Sequence, residues 1–130
     1  MTKRLKRSQG IADQYQQMLD RSGGNLVMSP VNLEFCFVSP DLPILIKPFI
    51  AYCHIEVYCC TGGKLDNFEQ LQAKVEKAIS VRASLEKLGY SCDGTKAMRD
   101  GSDIYCQFVV DTPTMKDLEK VVRDCASLRI

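Results

Sequence analysis

The sequence predicts an α+β fold. We expect a two-layer sandwich, with a four-stranded antiparallel sheet carrying two long helices on one face and an extra helix at the N-terminus. Three observations predict it. A strand-strand-helix unit occurs twice, over residues 26–88 and again over 92–128. In each unit the hydrophobic period changes from two, as in a strand, to the three-to-four spacing of a helix. Asp100-Gly101 in the second unit suits a tight type I′ hairpin turn, whose two central positions need positive φ. Two hairpins and two amphipathic helices bury their apolar faces together if the strands share one sheet and the helices lie on one side of it.

The elements follow in order. Residues 1–25 form a basic arm containing a helix over Gly10–Arg21, where Ile11, Tyr15, Met18 and Leu19 share one side. That stripe is thin and predicts loose packing; Ser22-Gly23-Gly24-Asn25 ends the helix. The single α+β domain then runs over 26–130. Leu26–Val38 is extended, with Leu33, Phe35 and Phe37 alternating against Asn32, Glu34 and Cys36, and Pro30 as a possible break. A turn at Ser39–Pro43 leads to Ile44–Ile46, a short strand candidate that Pro48 ends, and then to Ala51–Cys60. There Cys53, Ile55, Val57 and Cys59 alternate with His54, Glu56, Tyr58 and Cys60. Asp66 or Asn67 caps a long helix whose stripe is Phe68, Leu71, Val75, Ile79, Leu85 and Leu88, and Gly89 ends it. The second hairpin pairs Thr95–Arg99 with Ser102–Val110. Thr112-Pro113 then starts the last helix, where a missing N–H costs nothing, with Met115, Leu118, Val121, Val122, Cys125 and Leu128 as its stripe.

This ββαββα order resembles the ferredoxin-like fold with its last strand moved to the front. The resemblance implies a small regulatory domain that binds a metabolite near a strand-helix turn. If Ile44–Ile46 is a strand in its own right, the order becomes helix, three strands, helix, two strands, helix. That order resembles the small dimeric chaperones of bacterial type III secretion, and implies a dimer around which an amphipathic partner peptide winds.

Composition narrows the function classes. A chain of 130 residues, 45% hydrophobic and 25% charged, reads as one globular domain that needs no cross-links to fold. The net charge of +1 gives no global attraction to nucleic acid or anionic membrane. Its distribution is uneven, because Lys3, Arg4, Lys6, Arg7 and Arg21 crowd the N-terminal arm and the remainder is slightly acidic. The seven cysteines are odd in number, follow no secreted spacing and often fall on apolar positions. We therefore expect free thiols in a reducing, cytoplasmic setting with no signal peptide. Leu42–Cys60 is the most apolar stretch, but Pro43, Lys47, Pro48, His54 and Glu56 interrupt it, so no membrane span is expected.

Candidate sites are few. Gly62-Gly63-Lys64 lies between a strand and a helix start, where free N–H groups favour an anion. It is not a P-loop, because Tyr58 stands where the first glycine belongs and Leu65 where a hydroxyl residue belongs. Cys53, His54, Cys59 and Cys60 are close in sequence, yet strand alternation turns Cys53 and Cys59 away from His54 and Cys60. No metal site or other cofactor is expected. Cys60 lies about 20 Å along the strand from His54 by strand geometry, and no paired-carboxylate or nucleophile motif occurs, so no catalytic residue is assigned. If the helices cover Cys53, Ile55 and Val57, the opposite face shows His54, Glu56, Tyr58, Tyr105, Gln107 and Val109. We expect this face to join a second copy of the chain or another protein in a non-enzymatic binding or regulatory module. The alternative is RNA binding, with Tyr58 and Tyr105 as stacking platforms and the basic arm on phosphate.

Overall fold

The computed structural model describes residues 2–23, 26–31, 34–61, 67–97 and 103–129. Its elements are α1 (Thr2–Ser22), β1 (Val27–Val31), β2 (Glu34–Val38), β3 (Ile44–Pro48), β4 (Tyr52–Thr61), α2 (Phe68–Lys87), β5 (Cys92–Ala97), β6 (Asp103–Asp111) and α3 (Met115–Ala126). The strands form one sheet in the order β1-β2-β3-β4-β6-β5, and each neighbouring pair is antiparallel.

Alternation sets the covered face. Phe37 of β2, Ile44 and Ile46 of β3, Cys53, Ile55 and Val57 of β4 and Phe108 of β6 are all buried. Register places them side by side: Phe37 opposite Ile46, Ile46 opposite Ile55, and Ile55 opposite Phe108. Met18 and Leu19 of α1, Ala78, Val81 and Leu85 of α2, and Leu118, Val121, Val122 and Cys125 of α3 complete the same core. All three helices therefore lie on one side of the sheet.

Local signals explain the helix limits. Asn67 caps α2 by accepting a bond from the Gln70 N–H at 2.8 Å, and Gly89 follows the helix at φ 102, a left-handed conformation that favours glycine. Thr114 and Asp117 form a reciprocal capping box at the start of α3. The Tyr90 hydroxyl ties the exit of α2 to α3 by donating to Asp124 at 2.5 Å.

Several expectations need correction. The sheet has six strands rather than four. The extended stretch 26–38 is two paired strands, with Val31 opposite Glu34, and Ile44–Pro48 is a full strand inserted between them and β4. The ferredoxin-like layout placed 26–38 directly against 51–60; β3 takes that position instead, because its alternating Ile44 and Ile46 belong to the core. The N-terminal helix is longer than read, and its second half is not loosely held: Met18 is fully buried and the Tyr15 ring meets Phe37 edge-on at 5.1 Å. The buried stripe of α2 passes through Ala78, Val81 and Leu85, leaving Phe68 and Ile79 exposed. Met115 of α3 is exposed as well.

Candidate binding face on the open side of the sheet

The second face of the sheet is built from the residues between the core positions. Three rows cross it. Lys47, His54 and Val109 are successive partners on β3, β4 and β6; Leu45, Glu56 and Gln107 form the next row; Tyr58 and Tyr105 form the third. No helix packs on this side among the described residues. The five residues read from the sequence, His54, Glu56, Tyr58, Tyr105 and Gln107, thus share one surface. Lys47 was missed, because it lies on the strand that the main reading left out.

Glu56 is the unusual member. It is only 2% exposed although it faces away from the apolar core. Its Oε2 lies 3.3 Å from the Lys47 Nζ, and its Oε1 accepts a bond from the Tyr58 hydroxyl. A buried carboxylate is tolerated only when paired and hydrogen-bonded, and here both conditions are met. The Tyr58 ring packs on Tyr105, with centroids 4.9 Å apart. Gln107 reaches Asp93 on the far side of β6 at 3.5 Å.

At the β3–β4 end, aromatic rings gather. Phe49 stacks on Tyr52 at 4.8 Å and meets His54 edge-on at 4.8 Å. The connecting turn holds Ala51 at φ 68 and leaves Ile50 94% exposed. Phe49, Ile50 and Tyr52 also border an apolar groove of about 530 Å³ with Ile11 and Tyr15 of α1. The open face therefore continues around the sheet end into exposed apolar surface.

The cysteines are arranged for packing. Cys53 and Cys125 are buried against the helices, and Cys92 and Cys106 lie on the same covered side. Burial pushes the Cys53 thiol up to about 12 and Cys106 to about 11, and raises Cys125 further with help from Cys53 and Asp124. These thiols stay protonated near neutral pH and lie across the sheet from His54. Cys36 is on the His54 side, but Lys47 stands between them, two strand spacings or roughly 10 Å apart.

Gly62, Gly63 and Lys64, the anion-binding candidate, lie outside the described residues, as do the Asp100-Gly101 turn and the side chain of Cys60. Lys3, Arg4, Lys6 and Arg7 fall on the backbone of α1, and their side chains also lie outside the described set. Among the described residues, no helix is long and apolar enough to cross a membrane. Comparison with family models, curated proteins and solved structures gives no match, so this face is read from its own geometry.

Proposed function

We propose that the protein acts by binding, not by catalysis, and that the open sheet face joins a second copy of the chain. The observation that carries this reading is an uncovered face, with Val109 46% and Tyr52 38% exposed, running into an apolar groove. Charge favours a second copy as the occupant. A two-fold interface lays the same patch on itself, so a patch of one sign would repel its partner. Lys47 and Glu56 neutralise each other at the centre, with tyrosines, His54, Gln107 and Val109 around them and the carboxylates of Asp93 and Asp111 at the margin.

Sedimentation equilibrium across a concentration series tests the proposal. Wild type should have the mass of a dimer, and Val109→Lys should shift it to monomer with its circular dichroism unchanged. A wild type that stays monomeric at high micromolar concentration defeats the reading, as does a dimer that Val109→Lys and Tyr105→Ala both leave intact.

A second reading is favoured by β3. With Ile44–Pro48 as a strand, helices stand at both ends of the chain and α2 separates the first strands from a final pair. That order resembles the type III secretion chaperones, with one further strand before α2. On this reading the dimer holds an amphipathic segment of a client protein. A protein that is strictly monomeric counts against it too.

A further inference from the structure

At the end of the sheet where β2 turns into β3, two cavities adjoin. One, of about 190 Å³, is lined by Leu26, Leu42, Cys125, Ala126, Leu128 and Arg129, among others. The other, of about 270 Å³, is lined by Pro43, Tyr58, Cys59 and Lys74, among others. Asp41, Leu42 and Lys77 line both, so the two are lobes meeting at a common wall. Each lobe is of a size for a short aliphatic chain or a small head group, not for a drug-sized ligand.

The lining combines two chemistries. Leu26, Leu42, Leu128, Ala126 and Pro43 supply apolar walls, the second lobe being the more apolar and the first mixed with Ser39 and charged groups. Lys74 and Lys77, one turn apart on α2, and Arg129 bring three cations, against the single carboxylate of Asp41. Among the described residues Lys74 and Lys77 make no ion pair. Arg129 donates to the Ala126 and Leu128 carbonyls at 3.3 and 3.0 Å, which holds its guanidinium beside the first lobe. A lysine stem can lie along apolar surface while its ammonium head stays in water. We infer that this cleft binds a small amphipathic anion, with an apolar body in the lobes and a carboxylate or phosphate head on Lys77 and Lys74. The site borders the open sheet face at Tyr58, but its lysines and apolar lining lie outside the rows of that face, so ligand binding is read independently of dimerisation.

Calorimetric titration of the full chain tests this with octanoate, octyl phosphate, octanol and inorganic phosphate. At least one of octanoate and octyl phosphate should bind saturably, and the tighter of the two identifies the head group. Octanol and inorganic phosphate should each bind at least about tenfold more weakly, since each lacks half of the recognised chemistry. Lys77→Gln should weaken the preferred anion by about tenfold, the size of one charge-assisted bond, and Lys116→Gln on exposed α3 should change nothing. Amide shifts at Leu42 and Ala126 report that the ligand is in the cleft. Failure of both amphiphiles to bind wild type overturns the inference. So does octanol binding as tightly as octanoate and octyl phosphate, or affinity that Lys77→Gln leaves unchanged.

Discussion

Replacing Lys47 with methionine should destabilise the protein through a residue it leaves untouched. Glu56 is 2% exposed, and Lys47 is its only cation among the described residues. Removing one partner of a buried pair costs roughly 3–5 kcal/mol, because the other charge is left in a poor solvent. The Lys47 side chain is 31% exposed, so water already screens the pair, and the Tyr58 hydroxyl still bonds the carboxylate. Discounting for both gives about 2 kcal/mol. An unfolding entropy of about 2.1 cal/mol/K per residue over this chain then converts that loss to a melting point lower by roughly 7 °C. Glu56→Gln should cost about 1 kcal/mol, since Lys47 can turn its ammonium to water. The double variant should be more stable than the two single losses predict, by at least about 1 kcal/mol. Urea unfolding at one fixed protein concentration measures all four proteins and keeps any dimer term constant. Additive losses, or a Lys47→Met protein as stable as wild type, would refute the view that Glu56 depends on Lys47.

Three more outcomes are expected. Ala51 sits at φ 68, where a side chain strains the backbone, so Ala51→Gly should raise stability by about 0.5–1 kcal/mol, with a higher melting temperature as the check. Phe108 is fully buried opposite Ile55, and Phe108→Ala should cost about 3–5 kcal/mol in urea unfolding. Burial raises the Cys53 thiol from 9.0 to about 12, so below pH 9 it is protonated in both the folded and unfolded chain and its contribution is constant. Between pH 9 and about 12 only the unfolded chain loses that proton, and stability falls as pH rises, by up to about 1.4 kcal/mol per unit. Cys53→Ala should be less steep over that window; parallel wild-type and variant curves from pH 8 to 11 would contradict it.

Strong alternation made β4 and β6 legible. Cys53, Ile55 and Val57 were read as the covered side of one strand and Phe108 as that of the other, and they lie there with the Tyr58 and Tyr105 rings in contact on the opposite side. The end of α2 was legible from Gly89, whereas the start of α3 lies later than Thr112-Pro113 suggests: Thr114 is the cap, and Pro113 precedes it instead of occupying the first turn. The β1–β2 hairpin was not, because no Gly-containing turn dipeptide separates Val31 from Glu34 and the alternation runs through. The stripe on α2 was right at Leu85 and misplaced at Phe68, Ile79 and Leu88, because small Ala78 and Val81 one turn on give a weaker signal than Ile79, whose exposure only the packing decides.

The strand that the sequence leaves open also governs the candidate site. Ile44–Ile46 offers one alternation between two prolines, too little to separate a strand from a loop by pattern. Once β3 lies between β2 and β4, Lys47 falls opposite His54 and next to the Leu45–Glu56 row. A sheet in which 26–38 paired directly with β4 would have left Glu56 without that cation, and a carboxylate on an open face would then remain exposed to water. The pair instead lets Glu56 sink to 2% exposure while Tyr58 is fixed by its bond to the carboxylate and its contact with Tyr105. An internally neutral centre with oriented aromatic rings is a surface that can be laid against its own copy without repulsion there. The same strand insertion therefore accounts for both the departure from a four-stranded layer and the character of the face proposed to bind.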